Sequence, residues 1–116
     1  MRQSFSKKEK LSQPSDIRRV LHSRQSCRGS GFSVHWRKAD PNETCTRFGV
    51  LVSAKLIKGA AKRNRMKRLV REFFRLNKQK LRFKGDLIIR ANEYKVLKYT
   101  ELEKILMPVL NRAGLM

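Results

Sequence analysis

The stretch KLIKGAAKRNRMKRLVREFFR, residues 55–75, decides how this chain folds and what it can touch. Its pattern predicts a helix from about Ala60 to Lys80. At roughly 100° per residue, Met66, Leu69, Val70, Phe73 and Leu76 fall on one side, the apolar stripe of a core-facing helix. Asn64, Lys67, Arg68, Arg71, Arg75 and Lys78 fall on the other side, with Arg63 and Arg65 flanking them. A helix that keeps a core face beneath its cations is a folded polyanion-binding surface, not a loose basic tail.

Between Lys55 and Lys84 there are thirteen Lys/Arg residues and one acid, Glu72, a net charge of +12. Solvated helix faces usually interleave acids with bases, because opposite charges one turn apart attract. Here like charges follow one another with almost no relief. Arginine predominates at 63, 65, 68, 71 and 75, and its planar fork suits bidentate phosphate contact and stacking on bases. Asn64 can hydrogen-bond a phosphate, a sugar or a base edge, or serve as an ordinary helix-surface or capping amide.

The whole chain carries the same bias. It has 116 residues, 29 Lys+Arg against 9 Asp+Glu, and a net charge of +20. That length suits one domain with one modest core, and 40% apolar residues suffice to build it. Self-repulsion on this scale destabilises the free protein, so a bound polyanion or added anions should stabilise it. RNA or DNA is the expected partner, with an anionic membrane surface second. No apolar run approaches the length of a membrane span, and no apolar segment follows the basic N-terminus as a secretory signal requires. Cys27 and Cys45 form no C-x-x-C pair, and a disulfide between them is not expected, in keeping with a reducing cytosol.

Residues 1–12 read as a mobile basic arm, with Phe5 and Leu11 as possible tethers. Ser15 is the expected N-cap of a short helix whose stripe is Ile17, Val20 and Leu21. Residues 24–31 read as a loop or irregular edge strand. Phe32 to Trp36 alternates like a half-buried strand, residues 39–44 carry turn chemistry, and Arg47 to Val52 reads as a more central strand. These two strands are expected to form a hairpin. Asp86 to Ala91 is a buried strand. Thr100-x-x-Glu103 reads as a capping box, followed by an apolar face of Leu102, Ile105, Leu106, Val109 and Leu110. Pro108 should kink or weaken that helix and Gly114 should stop it. The order describes a single α+β sandwich with helices packed on a small sheet.

The run Arg63-Asn64-Arg65, continued as K-R-x-x-R-E-x-F-R from Lys67 to Arg75, resembles the signature of the protein subunit of bacterial ribonuclease P. The strand RFGVLVSAK at 47–55 is similar to that family's R-[LI]-G-x-x-V-[SA]-K-K segment, and the helix at Pro14-Ser15-Asp16-Ile17, the length and the element order also agree. The resemblance implies a four-stranded sheet with three helices and a left-handed βαβ crossover, an exception to the usual hand. It implies a protein subunit that binds a catalytic RNA and the 5′ leader of precursor tRNA, while Mg²⁺ held mainly by the RNA drives removal of the leader in the cytoplasm. RNA contacts are expected from Lys55, Lys58, Lys62, Arg63, Asn64, Arg65, Lys67, Arg68, Arg71 and Arg75. Leader contacts are expected from Ile17, Leu21, Phe32, His35 and Trp36. Ile17 and Leu21 replace commonly aromatic positions, His35 stands where some members have Tyr, and Ala54 replaces a lysine. Phe32, Val34 and Trp36 share one face, which either joins the core, its commoner fate, or lines the leader cleft.

No catalytic residue and no metal ligand is expected from the polypeptide. Its acids (Glu9, Asp16, Asp40, Glu43, Glu72, Asp86, Glu93, Glu101 and Glu103) are scattered, without the spacing of a two-metal site or a His/Cys cluster. No protein partner is required by the sequence. A non-catalytic, ribosome-associated RNA binder and a DNA-packaging protein share the charge logic and are the alternatives.

Overall fold

The computed structural model describes residues 10–38, 46–94 and 98–116. The expected turn at 39–44, Cys45 and most of the basic arm lie outside the described residues. The elements are α1 (Pro14–His22), β1 (Ser26–Gly29), β2 (Phe32–Lys38), β3 (Arg47–Val52), α2 (Ala60–Asn77), a short 3-10 turn (Lys78–Lys80), β4 (Gly85–Ala91) and α3 (Tyr99–Arg112). The strands form one mixed sheet in the order β1-β2-β4-β3.

That order corrects the expected hairpin. β2 pairs antiparallel with β1 on one side and β4 on the other. β3 pairs with β4 alone among the strands, in parallel, so it lies at an edge and β4 takes the centre. The reason lies in burial: Leu87, Ile88 and Ile89 are each almost wholly buried, so both faces of β4 must be covered. The real hairpin is β1–β2, turned by Ser30 (φ 47°) and Gly31 (φ 85°). Two successive positive φ values are what a tight two-residue hairpin loop requires. The Ser-Gly pair was the sequence signal for it.

Side chains alternate across the sheet. Phe32, Val34, Phe48, Leu87, Ile89 and Ala91 join the main core with Met66, Val70, Phe73 and Phe74 of α2 and Leu102, Leu106, Val109 and Leu110 of α3. Phe74, outside the predicted stripe, stacks on Phe48 with ring centroids 4.3 Å apart. Leu69 and Leu76 are only half-buried. Asn77 is buried at the end of α2, where its amide donates to the Phe73 carbonyl (2.9 Å) and the Tyr99 hydroxyl (2.8 Å). A regular helix ends there, with the predicted last turn tightened into the 3-10 segment. On the opposite face, Val20 of α1 meets Ile88 and Leu11.

Two helix N-termini differ from expectation. α1 begins at Pro14 with Gln13 as N-cap and no side-chain cap, so Ser15 is already helical. Proline in the first turn loses an N–H that had no partner anyway. At α3 the backbone N–H of Lys98 donates to Glu101 (3.2 Å), so Glu101 and not Glu103 closes the cap. α3 also runs through Pro108 to Arg112, with Pro108 exposed and the carbonyl it strands, that of Lys104, on an exposed residue. Gly114 (φ 77°) follows the helix end, as expected.

The end of the predicted mobile arm is seated. Leu11 is buried, its N–H donates to the Phe48 carbonyl (2.8 Å), and Lys10 bridges to Phe48 in parallel. A Cβ on Gly49 would lie 2.9 Å from the Leu11 carbonyl oxygen, so glycine is what lets the segment lie along the edge of β3. Phe73→Ala should leave a cavity beneath α2 and cost about 3–5 kcal/mol, measurable by urea unfolding.

Candidate nucleic-acid interface

α2 packs its apolar side against β3 and α3, which turns the opposite side outward. Asn64, Arg65, Arg68 and Arg71 are exposed there and Lys67 is half-buried. None of these five makes a hydrogen bond or ion pair among the described residues. Lys55 and Lys58, in the loop before the helix, are exposed and likewise unpaired. A groove of about 350 Å³ runs along this side between Asn64, Arg68, Arg71, Glu72 and Arg75.

Three predicted RNA contacts are partly committed within the protein. The Arg63 guanidinium donates to the Ile57 carbonyl (3.0 Å), pinning the loop whose Ile57 is buried. Lys62 sits 5.1 Å from the Tyr94 ring centroid, in cation–π range. Arg75 donates through Nε to Glu72 (3.1 Å), and that bond holds the Glu72 carboxyl below its usual pKa. The one acid on this stretch is therefore ion-paired within its own helix. The other charged side chains on this side of α2 are cations.

The opposite face of the sheet carries the second predicted site. The register places Arg28, Ser33, Arg90 and Leu51 in one row across β1, β2, β4 and β3, with Ser26, His35, Ile88 and Gly49 in the next. α1 covers this face through Val20, leaving Ile17 and Leu21 half-buried beside it. Ile17, Leu21 and His35 therefore belong to one face. Phe32 does not: it is buried in the main core, and the half-buried Trp36 packs against that same core, so these two predicted leader contacts lie on the other side of the sheet. Their side chains point to the other side of the sheet because β2 alternates.

Sequence reasoning missed Arg28, Leu51 and Arg90 on the His35 face. Isolated arginines on separate strands give no local pattern; only the register brings them together. Two Arg28 and Arg90 guanidinium groups without partners among the described residues flank the imidazole. His35 Nε2 lies 3.0 Å from the Ser33 hydroxyl, which also accepts from Asn92 (3.3 Å). Burial first, then Arg90 and Arg28, lower the His35 pKa from its ordinary 6.5.

An ion-pair network fixes α1 over the sheet. Arg47 forks onto the buried Asp86 (Nε 2.8 Å, Nη2 2.8 Å) and reaches Asp16 of α1 (3.1 Å), while Arg37 approaches Asp86 at 3.6 Å. The hydrogen bonds that Arg47 donates to Asp86, above all, raise the Arg47 pKa further. With Asp16 and Asp86 held by Arg47 and Glu72 by Arg75, the carboxylates nearest the two faces are engaged by guanidinium groups. Among the described residues no group of three His, Cys, Asp or Glu side chains is placed to hold a metal ion.

Between the two faces lies a cleft of about 420 Å³ lined by Lys10, Leu11, Ser12, Ile17, Phe48, Gly49, Val50 and Arg71. No helix among the described residues is long and apolar enough to cross a membrane. By NMR, the His35 imidazole should titrate below 6.5, and Arg90→Gln should raise that value by removing one repelling charge. A midpoint at or above 6.5, unmoved by the substitution, would contradict this electrostatic picture.

The chain resembles known proteins over nearly its whole length. The family model for ribonuclease P matches residues 5–114. The ribonuclease P protein component of Clostridium novyi is 34% identical over 110 residues, covering 94% of this chain and 96% of that one. The solved RNase P protein of Staphylococcus aureus superposes with a TM-score of 0.80 at 26% identity, covering 92% of this chain and 96% of that one. That of Thermotoga maritima superposes at 0.76 and 27%, covering 90% and 96%. The fold expected from the signature, three helices on a four-stranded sheet, is the fold observed, and the chain belongs to the ribonuclease P protein family.

Proposed function

We propose that this chain is the protein subunit of a ribonuclease P, acting in the cytoplasm on precursor tRNA. The exposed side of α2 docks on the catalytic RNA, and the face formed by α1 and the sheet holds the single-stranded 5′ leader. The RNA supplies the active site and holds the Mg²⁺ that drives cleavage. The polypeptide supplies binding energy and position. The observation that carries this reading is the run of exposed cations at Arg65, Arg68 and Arg71, none paired with an acid among the described residues, on a helix anchored by its core face.

The leader face differs in chemistry from the α2 face. Ile17 and Leu21 offer aliphatic contact to bases, while Arg28 and Arg90 offer charge to phosphates on either side of a neutral imidazole. Aliphatic side chains supply packing without the stacking energy of aromatics, about 1–3 kcal/mol per base. In this reading, charge from Arg28 and Arg90 offsets that loss.

Mixed with a matching catalytic RNA at moderate salt, the protein should lower the Mg²⁺ concentration needed to cleave precursor tRNA. An unchanged requirement argues for a purely structural RNA binder, for which co-sedimentation with ribosomes is the signature. Arg65→Ala and Arg68→Ala should each weaken binding to the catalytic RNA. Each should also reduce the slope of log K against log salt by about one, because each lost phosphate contact releases fewer counterions. An unchanged slope would mean that these arginines face solvent in the complex.

A further inference from the structure

We propose that Arg71 is a bridging residue, contacting both the RNA docked on α2 and the single-stranded leader as it passes the edge of β3. The inference rests on the two-site reading above and adds a physical link between its halves. Arg71 lines the α2 groove with Asn64, Arg68 and Arg75, and it also lines the cleft with Ile17, Gly49 and Val50. It is exposed and makes no hydrogen bond or ion pair among the described residues. The two concave surfaces therefore share one free guanidinium.

The cleft suits a nucleotide. Ile17, Leu11 and Val50 give it an apolar floor, with Lys10 and Arg71 among its lining residues. It opens along β3, an edge strand whose outer side is met by the Lys10–Phe48 bridge and by Leu11 beside Gly49 among the described residues. Beyond that bridge, the outward backbone groups of β3 are available to a base or sugar. The carboxylate of Glu72, which shares the groove, is paired with Arg75 and makes no ion pair with Arg71 among the described residues. A planar fork can engage two phosphates at once, whereas lysine presents one compact charge.

The test uses the reconstituted holoenzyme and two quantities. One is the affinity of the protein for the catalytic RNA. The other is the leader advantage, the ratio of holoenzyme affinities for precursor tRNA and for the same tRNA without its leader. Arg68→Ala should lower the first and leave the second intact. Arg71→Gln should lower both, each by about fivefold, the size expected when an exposed charged contact worth about 1 kcal/mol is lost. Arg71→Lys should recover the affinity for the catalytic RNA but not the leader advantage. An Arg71→Gln variant with an unchanged melting temperature that moves only one quantity overturns the bridge. A wild-type holoenzyme without any leader advantage would instead overturn the two-site reading itself, before any variant is made.

Discussion

One buried carboxylate organises the face of the sheet that α1 covers. Asp86, 1% exposed at the start of the central strand, receives both prongs of Arg47 from the neighbouring strand and lies within reach of Arg37 from the other side. Arg47 then extends to Asp16, the acid in the first turn of α1. A buried charge without a partner is strongly destabilising, so the carboxylate and the guanidinium constrain one another. Since Arg47 is itself 29% exposed at its side chain, the outer bond to Asp16 contributes less than the inner fork. Its consequence is geometric: α1 is held over the sheet where Ile17 and Leu21 flank the row containing His35.

The same economy of acids explains the cationic surface. The few carboxylates placed near the two faces are spent on arginines that hold the fold, which leaves Arg65, Arg68, Arg71, Arg28 and Arg90 without partners among the described residues. Unrelieved positive charge costs the free protein stability, and a polyanion removes that cost. The core must bear the strain until then. It does so with a large apolar cluster in which α2, the most charged helix, also contributes Met66, Val70, Phe73 and Phe74.

The helix pattern was legible because periodicity is a local signal. The stripe at Met66, Val70 and Phe73 and the outward arginines could be read from spacing alone, and the family signature sits on those same residues. Strand order was not legible, because pairing depends on which strand needs both faces covered. Sequence proximity suggested a hairpin of β2 with β3; the burial of Leu87 to Ile89 instead put β4 between them. At the edge, β3 lines the cleft beside α1, and Arg71 lines both that cleft and the α2 groove. The same alternation that sent Phe32 and Trp36 to the core side turned Arg28, His35 and Arg90 to the open face, a grouping that only the register reveals.

The central claim is that two RNA surfaces on this small basic fold serve one RNA-based enzyme. The most direct measurement is to crosslink the protein to its RNA in its own cells, purify it, and sequence the bound RNA together with the crosslinked peptides. The account predicts one abundant structured RNA joined to α2 and precursor tRNA leaders joined to the face of α1 and the sheet. Ribosomal RNA as the dominant species, or leaders absent from that face, would contradict it.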